Sequence, residues 1–351
     1  MIKLMMGNNF DLELIDFIIE ENKNYSNIKI NEVFGSIRDL NTIQTARPDF
    51  RVPEVDLDLF SEICHKLNDN GVIVNYTINT PLVDHKDIDE KEYEKFLNEL
   101  YDFGVRRITV AHPLIIKIIG KIFPKMKVEL STIYRIQHPR QLYDIKGFNP
   151  SFNKICVDVI RNRDYYHLED MKKYCDELDI EIELLVNEFC IYNCVVRDQC
   201  YHAHVMNKIV EDTKHFNHWP MGYCISKRSK EPIEWLYATF ILPQHMKLYY
   251  DEFGIENFKV TGRTAPTPYA KWVAKTYLDQ DYKDNLLKLW QDVKNIPRVA
   301  SGKDDFIGLH YSIDSDKIDD NFIKWYFNRR PSWSEEKEHI EKYFEKSFRE
   351  F

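Results

Sequence analysis

The sequence predicts an α/β protein of the (β/α)8, TIM-like barrel class, with a long insertion after the seventh strand and a C-terminal appendage. Three observations carry that expectation. Eight short β-like runs alternate with eight amphipathic helical stretches from the N-terminus to about residue 280. Several of those runs have one polar and one apolar face, as barrel strands with an interior side and a helix-facing side do. Two long irregular segments each follow a strand, which places them on the barrel face where active sites are built. An open doubly wound sheet is the competing topology.

The β-like runs are Ile2–Met6, Lys29–Phe34, Val72–Asn79, Arg107–Ala111, Lys127–Ile133, Lys154–Arg161, Glu181–Asn187 and Phe258–Gly262. The helical stretches between and after them are Leu12–Glu21, Leu57–Asn68, Glu90–Phe103, Leu114–Ile122, Pro139–Tyr143, Leu168–Leu178, Gln244–Phe253 and Pro268–Tyr277. In the third run Asn75, Thr77 and Asn79 oppose Val72, Val74, Tyr76 and Ile78. Asp158 opposes Val157 and Val159 in the sixth, and in the seventh Glu183 and Asn187 oppose Ile182, Leu184 and Val186. In the eighth, Lys259, Thr261 and Arg263 oppose Phe258 and Val260. With the apolar sets packed on helices, the interior receives Asp158, Glu183, Lys259 and Arg263. Two readings of those charges stand side by side: a balanced structural network, since an unpaired buried charge costs several kcal/mol, and direct contact with substrate.

The first irregular segment, Ser36 to Pro53, contains Thr45-Ala46-Arg47-Pro48 and no helical pattern. The second runs from Cys190 to Pro243, between the seventh strand and the helix that should follow it. Residues 1–280 thus form the barrel domain, with 190–243 as its cysteine-bearing insertion. Residues 281–351 are charged and aromatic, end in the helical run Ser334–Phe348, and read as a helical appendage outside the barrel without a catalytic signature.

Composition narrows the function classes. With 351 residues, 44% apolar, 14% aromatic and 11 glycines, disordered and collagen-like classes are excluded. Against 57 acidic side chains stand 48 basic ones, a net charge of −9 that gives no general reason to approach a phosphate backbone or an anionic membrane. A small molecule or a peptide is therefore favoured as substrate over nucleic acid. The first residues lack the apolar core and cleavage site of a signal peptide, and no run approaches the roughly 18 apolar residues of a membrane span, so a cytoplasmic location is expected.

Seven cysteines, an odd number in such a chain, do not read as a disulfide set. Cys190, Cys194 and Cys200 lie directly after the seventh strand, and Cys224 follows in the same insertion. Thiolates are natural ligands of zinc and of iron–sulfur clusters, and a loop can wrap a tetrahedral arrangement, so the four point to a metal or cluster site. The spacing C-x3-C-x5-C matches neither a double C-x2-C zinc knuckle nor the C-x3-C-x2-C of radical SAM enzymes, because Arg197 stands where the third thiol would. Cys64, Cys156 and Cys175 fall in helix or strand patterns and read as packing residues. His202, His204, His215 and His218 are further ligand candidates in the insertion.

Glu32-Val33-Phe34-Gly35-Ser36, Ala46-Arg47-Pro48, Asn75-Tyr76-Thr77-Ile78-Asn79, Leu185-Val186-Asn187-Glu188 with Cys190, Cys194 and Arg197, and Phe258-Lys259-Val260-Thr261-Gly262-Arg263 together resemble the collagenase-like peptidases of unassigned catalytic type, family U32. The similarity runs from about residue 1 to 280 and is most specific at the eighth-strand Lys-x-x-Gly-Arg and the cysteines after the seventh strand. It implies a barrel-like domain whose four cysteines bind a [4Fe–4S] cluster. It also implies oxygen-independent hydroxylation, in ubiquinone synthesis or of RNA bases, beside peptidase activity. The cysteine spacing differs here from that of the better-studied members.

The expected enzyme is accordingly a [4Fe–4S]-dependent, hydroxylase-like protein. Cys190, Cys194, Cys200 and Cys224 are its cluster ligands, and Lys259 and Arg263 bind an anionic substrate group. Asn187, Glu188, Asn79 and Arg47 line the same mouth. A peptidase is the first alternative, although neither an H-E-x-x-H pair nor a G-x-S-x-G elbow is present. A structural zinc site on a protein that binds a protein partner is the second.

Overall fold

In the computed structural model, described over residues 1–40, 45–46, 52–83, 88–209, 218–290 and 311–350, eight parallel strands close into a barrel. They are β1 (Ile2–Gly7), β2 (Ile28–Gly35), β3 (Ile73–Ile78), β4 (Arg107–Val110), β5 (Lys127–Leu130), β6 (Phe152–Cys156), β7 (Glu181–Leu185) and β8 (Asn257–Val260). Each pairs with the next in sequence, and β8 pairs with β1 through Leu4 opposite Phe258 and Met6 opposite Val260. This is the (β/α)8 class that the alternation predicts.

Helices α1 (Leu12–Asn24), α2 (Leu57–Asp69), α3 (Glu90–Asp102), α4 (Pro113–Ile122), α5 (Arg140–Phe148) and α6 (Tyr165–Glu177) follow the first six strands. Several begin on an aspartate whose carboxylate accepts an N–H of the first turn: Asp11 from Glu13, Asp56 from Asp58 and Asp89 from Lys91, at 2.8–2.9 Å. Such a cap is worth about 1 kcal/mol. In α2 the stripe Phe60, Ile63, Cys64, Leu67 is fully buried, spacing that puts all four on one face. Strand residues of the other parity, including Leu4, Val74, Tyr76, Ile108, Val128, Ile155, Leu184 and Val260, meet these helices in one continuous core.

Two strands end sooner than their apolar runs. Beyond β5, the Ser131 hydroxyl accepts the Ile133 N–H at 3.2 Å and opens a 3-10 turn at Thr132–Tyr134. Beyond β6, Asp158 accepts the Ile160 N–H at 3.4 Å and does the same at Val159–Arg161. A side chain that bonds its own backbone two residues on competes with the ladder and stops it.

After β7 the chain does not stay irregular. It forms α7 (Arg197–Ile209), α8 (His218–Lys230) and the short α9 (Glu234–Tyr237) before α10 (Met246–Phe253), and α11 (Thr267–Asp279) follows β8. The helical period of α7 was hidden because its buried positions after Val196 include Ala203 and Val205 among His and Cys residues, a weak apolar stripe.

The appendage adds β9 (Tyr311–Ile313), α12 (Asp320–Lys324), α13 (Trp333–Ser347) and β10 (Phe348–Glu350), with β10 antiparallel to β9. It shares the barrel's core through Leu286, Leu287, Leu289, Ile313 and Phe322. Arg163 fastens the junction: its guanidinium lies 4.7 Å from the Phe322 ring and donates to the carbonyls of Leu236 (2.8 Å) and Ala238 (2.7 Å). Among the described residues no helix is long and apolar enough to cross a membrane.

Candidate functional site

The barrel interior is filled by charge. Inward positions of successive strands bring together Glu32 of β2, Asn75 of β3, Arg107 of β4, Glu129 of β5, Lys154 of β6, Glu183 of β7 and Lys259 of β8. The Lys154 ammonium lies 3.0 Å from Glu32 and 2.8 Å from Glu183. That of Lys259 lies 2.5 Å from Glu129 and 3.3 Å from Glu183. Arg107 pairs with Glu32 and, at 2.6 Å, with Glu181. Asn75 donates to both Glu32 and Glu129 at 2.7 Å and accepts from Thr109 at 2.8 Å. Although burial opposes ionisation of Glu32, the Arg107 and Lys154 charges hold its carboxyl down at about 2. Burial instead dominates at Glu129 and pushes its carboxyl up to about 7, against the pull of Lys259.

Lys259 is thus engaged inside the barrel, while Arg263, farther along the same chain direction, stands at the mouth. Arg263 Nη2 donates to Thr45 Oγ1 at 2.7 Å, and Thr45 in turn donates to Asn79 Oδ1 at 3.2 Å. Asn79 also accepts the Ala46 N–H and reaches Ser131 at 3.5 Å. The structure therefore joins Arg263 and Asn79 into one array at the ends of β8, β3 and β5. Asn187 closes the next gap: its Oδ1 accepts the Thr261 N–H at 2.6 Å, and its Nδ2 donates to the Leu289 carbonyl at 3.1 Å. The appendage thereby reaches the mouth. Arg47 lies outside the described residues.

The cysteines follow. Ile191 accepts the Cys194 N–H at 3.2 Å across a turn in which Asn193 takes a left-handed φ of 48°, a conformation that asparagine tolerates. That turn brings the chain from Cys190 back to Cys194, after which α7 carries Cys200 and α8 carries Cys224. The Cys194 and Cys224 thiols are hydrogen-bonded to each other. This bond and the Arg197 and Arg228 charges outweigh burial and draw the Cys194 thiol down to about 6, while the same bond and burial push Cys224 up. Burial also raises the Cys190 thiol, which lies 3.6 Å from a Glu188 carboxylate oxygen and within the fields of Cys200, Arg197 and Arg228. Cys190 feels the charge of Cys200, and Cys224 those of Cys190 and Cys194, but among the described residues no three His, Cys, Asp or Glu side chains surround a single point as ligands of one ion. His202 is exposed on α7, and the side chains of His204, His215 and His218 lie outside the described residues.

Arginine is the chemistry that sequence reasoning missed. Arg197 is held by the fully buried Asp158, which also receives Arg135 Nε at 3.2 Å; Arg135 itself sits at a left-handed φ of 57°. Arg228 is buried between two tryptophans. Nε and Nη1 of Arg197, and Nε and Nη2 of Arg228, have no hydrogen-bond partner among the described residues. Buried donors without acceptors are costly, and an anionic metal–thiolate centre bound beside these cysteines would satisfy them. The donor set therefore fits a negatively charged cluster. Strand parity was the overlooked signal for Glu32, Glu129 and Lys154. For Arg228, the i, i+4 spacing from Cys224 was available, but only once the helix was known.

By architecture and site, the molecule is a closed (β/α)8 barrel with a cysteine–arginine cluster on the segment after β7 and a tail that reaches the mouth. The sequence profile of Peptidase family U32 matches residues 32–295, and the chain belongs to that family. An uncharacterized protease of Methanocaldococcus jannaschii is 30% identical over 139 residues, covering 38% of this chain and 39% of that protein. A solved U32 peptidase superposes with a TM-score of 0.46 at 15% identity over 62% of this chain and 83% of that one. An N-(5'-phosphoribosyl)anthranilate isomerase from Pyrococcus furiosus gives a TM-score of 0.40 at 10% identity, over 80% and 98% of the two chains.

Proposed function

We propose that this U32-family protein is an iron–sulfur enzyme in which Cys190, Cys194, Cys200 and Cys224 hold a [4Fe–4S] cluster at the barrel mouth. Its reaction is an oxygen-independent hydroxylation, or a related redox conversion, of an anionic small molecule, peptide or nucleobase. The observation that carries the reading is that Cys190, Cys194 and Cys224, with Cys200 beside Cys190, lie within the field of buried arginines, and that Arg197 and Arg228 each keep two nitrogens without a hydrogen-bond partner among the described residues. When bound, such a cluster supplies one-electron redox capacity.

The chain's own residues supply the rest. Arg197 and Arg228 lower the cost of turning neighbouring thiols into thiolate ligands. Asp158 fixes the direction of Arg197. Arg263, held by Thr45, which is itself bonded to Asn79, places a cation at the mouth for an anionic group, and Asn187 ties the β7 end to the β8 end. A single tetrahedral zinc needs its four sulfurs within about 4 Å of one another, given a Zn–S bond of about 2.3 Å. In a cluster each thiolate binds its own iron and the sulfurs stand farther apart.

Anaerobic purification with iron and sulfide assays of each cysteine-to-alanine variant tests the proposal. The brown colour is expected to depend on the four named cysteines and to survive Cys64→Ala, Cys156→Ala and Cys175→Ala. Colour lost in all seven variants, or zinc without sulfide, overturns it. A peptidase is the second reading, favoured by the depressed Cys194 thiol, a nucleophile at neutral pH. On that reading Cys194→Ala alone abolishes peptide hydrolysis, whereas Cys190→Ala and Cys200→Ala retain it.

A further inference from the structure

Arg228 lies one helical turn beyond Cys224 on the same face of α8, and is 3% exposed. Two indole rings bracket its guanidinium, that of Trp235 at 4.4 Å and that of Trp290 at 5.2 Å from the ring centroids. Aromatic faces attract a cation but accept no hydrogen bond in its plane, so they leave the guanidinium edge to find an acceptor elsewhere. Nε and Nη2 find none among the described residues. The backbone at this point is pinned as well: the Arg228 carbonyl accepts from the Tyr311 hydroxyl at 3.2 Å, and that hydroxyl accepts from Trp235 Nε1 at 2.9 Å. Trp290 and Tyr311 both come from the C-terminal appendage.

From this placement we infer that Arg228 is a positioning residue that supplies the counter-charge of the thiolate-bound centre, and that the appendage holds it there. The inference rests on the cluster reading above and assigns the tail a part in it. Three of the four thiols, Cys190, Cys194 and Cys224, lie within the field of this guanidinium. A cluster with four thiolates is an anion in its oxidised form and gains a further negative charge on reduction. A fixed cation beside such a centre would favour its reduced form and raise its potential. Trp290 prevents the long side chain from swinging away. The cysteines then set which group is bound, while the tail tunes how readily it accepts an electron.

The test uses the full-length protein, purified anaerobically and assayed for iron and sulfide before a dithionite titration of the midpoint potential. Arg228→Gln is expected to retain the centre with a more negative potential, Arg228→Lys to recover most of the shift, and Trp290→Ala to move the potential in the same direction by less. If Arg228→Gln loses iron while its circular dichroism is unchanged, recovery of iron in Arg228→Lys supports the inference, and failure of both variants to load overturns it. An unshifted potential in an iron-replete Arg228→Gln overturns the role of Arg228 and leaves the cluster reading standing. Wild-type protein without iron and sulfide overturns both.

Discussion

Glu32 and Lys154, contributed by β2 and β6, meet inside the barrel at 3.0 Å, and both side chains are shut off from solvent. Arg107 closes on the same carboxylate from β4, and Asn75 from β3. Removing the charge of Glu32 leaves two buried cations short of a partner. Glu32→Gln is therefore expected to cost about 3–5 kcal/mol, read as a lowered urea midpoint at pH 7. An unchanged midpoint means that the interior network contributes nothing to the fold.

The same network gives stability a pH signature. The Glu129 carboxyl is raised from its ordinary 4.5 to about 7 in the folded protein. Between those values the native state keeps a proton that the unfolded chain has lost, so this group's contribution is full below about 4.5 and declines as pH rises through about 7. Glu32, lowered to about 2, acts in the opposite sense: its contribution is present above 4.5 and is lost as pH falls toward 2. Denaturation of Glu129→Gln across pH 5–8 is expected to lack the downward slope shown by the wild type. A slope that persists assigns it to other groups.

Gly7 ends β1 against the backbone of the Arg263 turn. A Cβ added there falls 2.4 Å from the Arg263 nitrogen and 2.9 Å from the Gly262 carbonyl carbon, and backbone atoms cannot rotate aside. Gly7→Ala is expected to destabilise by about 1–3 kcal/mol and to displace Arg263 from Thr45. A variant of wild-type stability contradicts this close approach.

Arg263→Ala separates the mouth from the thiol cluster. The guanidinium is held by Thr45 at the β8 end, and the fields reaching Cys190 and Cys194 come from Arg197 and Arg228 instead. The variant is expected to keep wild-type iron and sulfide per chain while losing turnover. Equal loss of both makes Arg263 structural.

The barrel was legible because period-two runs and amphipathic stretches alternate eight times, and α1, α2 and α3 each start at an aspartate cap. The polar parity of Asn75, Glu183 and Lys259 correctly placed those residues inside. Their partners were harder to see. Glu32, Arg107 and Glu129 come from separate strands, and only barrel closure shows that they converge. Helices α7 and α8 of the insertion went unread because their patterns rest on cysteine, histidine and glycine. The appendage's contribution to the mouth is the carbonyl of Leu289, a group that every residue carries. Arg197 stood in plain sight among the cysteines, but its role comes from Asp158, which lies in the turn beyond β6, 39 residues earlier in the chain.

Anomalous diffraction at the iron edge, from crystals grown without oxygen, tests most directly whether the four cysteines hold a cluster. One compact iron peak enclosed by the sulfurs of Cys190, Cys194, Cys200 and Cys224, with Arg228 turned toward it, is the expected result. No iron density there, or a Cys194–Cys224 disulfide filling the place in protein kept reduced throughout, contradicts it.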